Sequence, residues 1–223
     1  MLSEKKNIIC LKIGEKYPSI YVNNLFYMIE KNTMIKDYEF YCFTDNAQGL
    51  NKNINVIKIP KINNENIYGW FYKLSLFDKK INPLKGRMLY FDLDIVIISN
   101  IDCFIQCEND KLTILNDWIY KKYGIKKYNS SIMQWNIELY SDLFDHFQKI
   151  TNIKKYAGDQ DFITDHVQDV IFWPEEWCVS YKWHECEKGK IPENAKIIIF
   201  HGKPKPHELD KNNSILLNHT LFK

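Results

Sequence analysis

Arginine is almost missing from this chain. Arg87 is the single arginine among 30 basic residues in 223. Specific recognition of phosphates and base edges leans on arginine's planar fork, and a net charge of +2 supplies no polyanion-attracting field. Nucleic acid is therefore excluded as the expected partner. Glycine and proline are also scarce, at 8 and 7. No repeat, low-complexity tract or Pro/Gly/Ser linker divides the chain, so one compact domain over 1–223 is expected. No apolar run approaches the roughly 20 residues of a membrane span. The charged start, 1–7, leads into only a short apolar run, which predicts no signal peptide. No CxxC pair occurs among the six cysteines. Cys103 and Cys107 could share a helix face but lack two further zinc ligands. Reduced thiols and a cytoplasmic location follow as the expectation.

What is present is apolar and aromatic residue, 45% and 15%, enough to bury a sizeable core and to argue against disorder. Residues 7–13 read as a strand closed by Gly14, and from Tyr17 a helical pattern runs through Tyr21, Leu25, Met28 and Ile29 with Ser19 as its cap. "YEFYCFTD" (38–45) and "NVIKIP" (55–60) are two further strands, "GWFYKLSLFDKK" (69–80) a helix, and the apolar run ending in Asp92-Leu93-Asp94 a fourth strand. This β-α-β-β-α-β order predicts an α/β fold, a Rossmann-like mixed sheet with helices on both faces. The second half is less regular. "KLTIL" (111–115) and "YNSSIMQW" (128–135) read as strands, 136–149 as one helix with Ile137, Tyr140, Phe144 and Phe147 on its apolar face, 159 onward as a short helix with Asp159 as its cap, and "KIIIF" (196–200) as a last buried strand.

Two places carry chemistry. In "RMLYFDLDIVI" (87–97) a pair of aspartates interrupts a run that is otherwise apolar, where an unpaired carboxylate is very costly. At i and i+2 of a strand, Asp92 and Asp94 point to one side and Leu93 to the other. Ligands gather beyond the carboxyl ends of strands in open α/β sheets, and a hard divalent ion, Mn2+ or Mg2+, satisfies two converging carboxylates. The strand at 196–200 likewise ends in "HGKPKP". His201 is a possible metal ligand, Gly202 permits close backbone approach to a ligand, and Lys203 and Lys205 are point charges suited to phosphate. Each also fits an ordinary surface role.

Taken in order, "GWFYKLSLF", "MLYFDLDIVI", "YNSSIMQWN", "GDQD" and "FHGKPKP" resemble the A-type glycosyltransferases, closest to the retaining branch with glycogenin and the lipopolysaccharide galactosyl- and glucosyltransferases. The resemblance spans roughly 7–206, with 1–100 as the nucleotide-binding half and 101–223 as the acceptor half. It implies a metal held by Asp92, Asp94 and His201, with Asp92 shared with the ribose and Leu93 beside the donor. It implies Lys203, or Lys205 in its stead, on the diphosphate, next to Gly202. Lys73 would contact the donor. Lys12, Gly14 and Tyr17, with Thr44 and Asp45, would wall the nucleotide base. Asn129 and Ser130 would face the donor sugar, and Asp159 and Gln160 would form the catalytic face. On a helix Asp159 and Asp161 lie about 200° apart, so at most one of them faces a pocket.

The implied activity is metal-dependent transfer of a sugar from a nucleoside diphosphate, a UDP-sugar through "GEKY" and "FTD", to a glycan or other hydroxyl acceptor. Retention is implied through "GDQD". Two other readings stay open: a sugar nucleotidyltransferase, disfavoured by the single glycine in 11–18, and a non-catalytic nucleotide- or carbohydrate-binding module using its tryptophans. The choice of acceptor is expected in 116–129 and 173–191.

Overall fold

The computed structural model describes residues 6–60, 62 and 69–222. The opening residues 1–5, on which the expectation of no signal peptide partly rests, lie outside them. Strand β1 (Lys6–Lys12), helix α1 (Ser19–Asn32), β2 (Tyr38–Thr44) and β3 (Asn55–Lys58) come first, followed by a 3-10 helix (Gly69–Phe77), β4 (Arg87–Phe91) and β5 (Ile95–Ile97). Then come α2 (Asp102–Ile105), β6 (Thr113–Asn116), α3 (Trp118–Lys122), β7 (Tyr128–Asn136), α4 (Ile137–Tyr140), α5 (Leu143–Gln148) and α6 (Asp159–His166). The chain closes with β8 (Ile171–Phe172), β9 (Cys178–Ser180), β10 (Ile197–Ile199) and α7 (Ser214–His219). No helix among these is long and apolar enough to cross a membrane.

A seven-stranded mixed sheet runs in the order β3-β2-β1-β4-β7-β6-β8, with β1 parallel to β2 and β4, and β7 antiparallel to β4 and β6. The apolar runs of its central strands are explained by burial on both faces. Leu89 and Phe91 pack on the α1 side with Ile8, Cys10, Leu25 and Met28. Met88 and Tyr90 alternate to the other side, with Phe71, Leu74, Phe77, Trp135 and Phe162.

The aspartate pair falls where the run 87–97 divides. β4 stops at Phe91, the Asp92 amide makes one last bond to the Ser131 carbonyl at 2.8 Å, and the chain turns into β5. β5 belongs to a second, three-stranded sheet, β5-β10-β9, in which it runs antiparallel to β10 with Ile95 opposite Ile199. That register carries the end of β10 back to the aspartates, and the Phe200 amide donates to the Asp94 carbonyl at 3.2 Å. The start of β7 arrives there too, because Phe91 pairs with Ile132 and so leaves Asn129–Ser131 beyond the end of β4.

Several local expectations change. The helix at 69–80 is a 3-10 helix over Gly69–Phe77, nine residues against a usual run of about three or four. In this geometry residues three apart eclipse, which sets Trp70 and Lys73 in one row. The helix expected over 136–149 breaks at Ser141 and Asp142 into α4 and α5. Pro18, not Ser19, precedes α1, and no side chain caps it. Gly158, not Asp159, occupies the cap position of α6; the Asp159 carboxylate is engaged elsewhere, as described below.

Phe77 and Trp135 are fully buried and stack with centroids 4.3 Å apart. Phe77→Ala is expected to destabilise the protein by about 3–5 kcal/mol in denaturant unfolding. A loss below about 1 kcal/mol would contradict this packing.

Candidate active site

The converging ends of β1, β4, β7 and β10 enclose a cavity of about 330 Å³. Lys73 reaches in from the 3-10 helix and lies at its base. Its ammonium stands 2.9 Å from Asp92 Oδ1 and 3.3 Å from Asp159 Oδ2, with the side chains of Lys73 and Asp159 each only 6% exposed. Lys73 also donates to Ser130 Oγ at 3.1 Å and to the Ser130 carbonyl at 3.3 Å. Ser130 in turn donates its hydroxyl to Asp159 Oδ2 at 2.6 Å. Tyr90, on the Lys73 side of β4, donates to Asp92 Oδ1 at 2.6 Å. One buried cation thus binds three segments that are far apart in sequence.

The electrostatics follow from this crowding. Burial works to lower the Lys73 pKa, but the Asp159 and Asp92 carboxylates more than offset it, and the ammonium is held charged. Asp92 is shifted above its ordinary value, first by burial and then by the Asp94 charge, with Lys73 opposing. Burial and the Asp94 carboxylate push the Tyr17 hydroxyl up, so it remains a donor, and its Oη lies 2.8 Å from Asp94 Oδ2. Lys205 brings its ammonium to the same Asp94 oxygen.

Of the expected residues, Tyr17, Lys73, Asp92, Leu93, Asp94, Asn129, Ser130, Asp159, Gln160 and His201 line the cavity. Asp161 faces away, as the helix geometry required, and pairs with Lys127 at 2.8 Å. Lys12, Gly14, Thr44, Asp45, Gly202 and Lys203 do not line it. Four of these brace the turn beside it: Lys12 bonds the Asn46 carbonyl at 3.3 Å, Thr44 Oγ1 bonds the same carbonyl at 3.0 Å, and the Asp45 carboxylate accepts from the Gly14 amide at 3.1 Å. Lys203 is 86% exposed and lies 3.3 Å from Glu208. Lys205, not Lys203, lines the cavity, in a loop where Gly202 has φ +69° after β10.

His201 lines the wall, but the expected triple with Asp92 and Asp94 is not assembled. Among the described residues no three His, Cys, Asp or Glu side chains form a metal-binding group. His201 Nε2 is instead 2.6 Å from Ser180 Oγ, and the ring lies against Trp118. Burial and then Lys182 hold its pKa below the ordinary histidine value. The two carboxylates nevertheless fit a hard divalent cation by donor chemistry, and the ammonium of Lys205 at Asp94 shows that this oxygen accepts a cation.

Tyr90 and Trp70 also line the cavity but were not read from the sequence as site residues; Lys16, within the loop expected to wall the base, lines it too. Tyr90 could have been found from alternation, since it stands two residues before Asp92. Trp70 is half exposed and closes over Gly158, where a Cβ would come within 3.1 Å of its Nε1. Lys16 reaches across to within 5.9 Å of the Trp70 ring centroid.

No protein-family model matches the chain, and none of the curated proteins matches it by sequence. Solved structures match by shape. An active-site variant of LgtC superposes with a TM-score of 0.63 at 14% identity over 92% of this chain and 90% of that one. The galactosyltransferase LgtC with donor and acceptor sugar analogues gives 0.60 at 13%, again over 92% and 90%. The glycosyltransferase GlyE of Streptococcus pneumoniae TIGR4 gives 0.63 at 12%, covering 91% of this chain and 56% of that one. The fold is that of the A-type glycosyltransferases.

Lys73→Met would leave the partly buried Asp92 and the buried Asp159 without their cation and is expected to destabilise by about 3–5 kcal/mol near pH 8. The Asp92 carboxyl is already raised, and losing Lys73 raises it further. The folded variant then holds a proton that the unfolded chain has released, so its stability falls as pH rises. The deficit against wild type should therefore be smaller at pH 5 than at pH 8 in unfolding titrations. A deficit that widens at pH 5 would contradict the pairing.

Proposed function

We propose that this protein is a glycosyltransferase that moves a sugar from a nucleoside diphosphate donor, a UDP-sugar, to a hydroxyl acceptor, and that residues 1–223 form a single transferase domain. The observation that carries the reading is the buried Lys73–Asp92–Asp159–Ser130 cluster beside Asp94 and Lys205, set at the strand ends of an A-type glycosyltransferase fold. LgtC, one of the similar structures, was solved with donor and acceptor sugar analogues.

In this reading Asp92 and Asp94 would hold Mn2+ or Mg2+, whose chemistry when bound is Lewis-acid neutralisation of the departing diphosphate. Lys205 adds a positive charge on the same side and stabilises the diphosphate more as negative charge grows than in the ground state. Lys73 fixes Asp92 and Asp159 in place, so neither needs to reorganise during the reaction. Asn129, Ser130, Asp159 and Gln160 form the wall facing the donor sugar. Tyr17 would wall the base, with the turn braced by Gly14, Thr44 and Asp45 behind it.

An inverting transfer needs a free carboxylate as base on the acceptor side. Among the described residues, the carboxylates on the cavity wall, Asp92, Asp94 and Asp159, all carry an ammonium or hydroxyl partner. This supports retention, with the departing phosphate assisting deprotonation of the acceptor.

The direct test is a screen of nucleotide sugars with Mn2+, scoring release of nucleoside diphosphate with water as the slow acceptor. UDP should appear from one UDP-sugar at least, and release from no nucleotide sugar with or without acceptor mixtures would overturn the reading. Calorimetry with UDP, GDP and ADP in Mn2+ tests the base, and tighter GDP binding would contradict uridine. Lys205→Ala should lower kcat about tenfold to a thousandfold, beyond its effect on UDP affinity, while Lys203→Ala changes either by less than about threefold. The reverse pattern would place Lys203 on the diphosphate.

A further inference from the structure

Asp94 is held by two partners from opposite ends of the chain. Tyr17, in the turn between β1 and α1, donates its hydroxyl to Oδ2 at 2.8 Å. Lys205, past the end of β10, sets its ammonium on the same oxygen. A second bond, to the Phe200 carbonyl at 3.1 Å, steadies Lys205 there. The pair is largely covered, with side chains 17% and 14% exposed.

The ion pairs at the two aspartates differ in one respect. Lys73, at Asp92, is also fixed by Asp159 and Ser130, which leaves it nowhere to go. Lys205 has Asp94 as its one carboxylate among the described residues and sits on a loop. A divalent ion cannot settle on the Asp94 oxygen while an ammonium occupies it, since two cations that close repel strongly away from bulk water. Moving the ammonium out without a new partner costs most of what the metal would gain. A diphosphate that takes the ammonium, with no metal present, leaves the Asp94 carboxylate without its cation. When both arrive together, each supplies the partner the other removes.

We propose that Lys205 is the resident counter-ion of Asp94 and couples divalent-metal binding to donor binding: the lysine passes from the carboxylate to the diphosphate as the metal takes the carboxylate. This rests on the nucleotide-sugar and metal reading of the cavity given above. The coupling is reciprocal, so metal must tighten UDP by the same factor that UDP tightens metal. Tyr17 carries no charge and has no part in the exchange.

The test is Mn2+ binding to the full-length protein, followed by loss of the free-ion electron paramagnetic resonance signal, with and without UDP. In the wild type UDP should tighten Mn2+ at least about tenfold, within the usual range of coupling between sites. Lys205→Met should bind Mn2+ alone at least about tenfold tighter than wild type, and UDP should then add less than about threefold. Lys205→Gln should behave alike, and keeps the test open if one variant folds poorly. Tyr17→Phe should shift Mn2+ affinity by less than about threefold. Equal Mn2+ affinity in wild type and both Lys205 variants would overturn the exchange. So would an effect of Tyr17→Phe as large as that of Lys205→Met, since contact rather than charge would then oppose the metal. If UDP binds the wild type equally with and without Mn2+, and Mn2+ does not bind even with UDP, the metal assignment itself fails; that result is separate from the other two.

Discussion

Lys73 is one ammonium buried between two carboxylates, Asp92 and Asp159, with Ser130 and Tyr90 closing the remaining hydrogen bonds. Without it, each anion would be a buried charge with only neutral partners. With it, the end of β4, the start of β7 and the first turn of α6 are tied to the 3-10 helix at a single point. The rest of the site depends on this tie. Asp94 follows Asp92 by two residues, Gln160 follows Asp159, and Asn129 precedes Ser130. The ion cluster is a weak source of stability by itself, because desolvation offsets much of the attraction. What it does is fix geometry: it pins three segments to one point at the cavity.

The second constraint is the division of one apolar run between two sheets. β4 belongs to the seven-stranded sheet and β5 to the three-stranded one, so residues 92–94 form the hinge between them. Because β10 runs antiparallel to β5, whatever follows β10 returns to that hinge. A polar site can sit inside an apolar core here because backbone pairing changes partners at this point. The chain therefore delivers a C-terminal lysine to an aspartate 111 positions earlier.

The sequence was legible where burial on both faces writes a continuous apolar run. β1, β2 and β7 stand within a residue of their expected bounds; β4 stops at Phe91, three residues short of Asp94, because carboxylates are so unfavourable in a buried strand. The short strands β5, β8 and β9, of two or three residues, were not legible, since their pairing comes from partners far along the chain. "GWFYKLSLF" is apolar on nearly every side, so its periodicity could not tell a 3-10 helix from an α-helix. Asp159 looked like a helix cap and is instead drawn to Ser130 and Lys73. The candidate site was readable as residue types at strand ends. Which lysine of "HGKPKP" faces the cavity was not, because both are loop lysines two positions apart and the path of that loop is not written in residue type. His201 does share the cavity wall with the aspartates, but its Nε2 contact with Ser180 was not legible, because Ser180 lies on a strand the sequence did not announce.

The most direct measurement is a crystal structure with Mn2+ and UDP, the metal located by anomalous scattering. The metal peak is expected at Asp92 and Asp94, with the diphosphate beside it and the Lys205 ammonium moved from Asp94 to a phosphate oxygen. UDP bound away from this cavity, or no metal peak at the aspartates while UDP occupies it, would contradict the assignment.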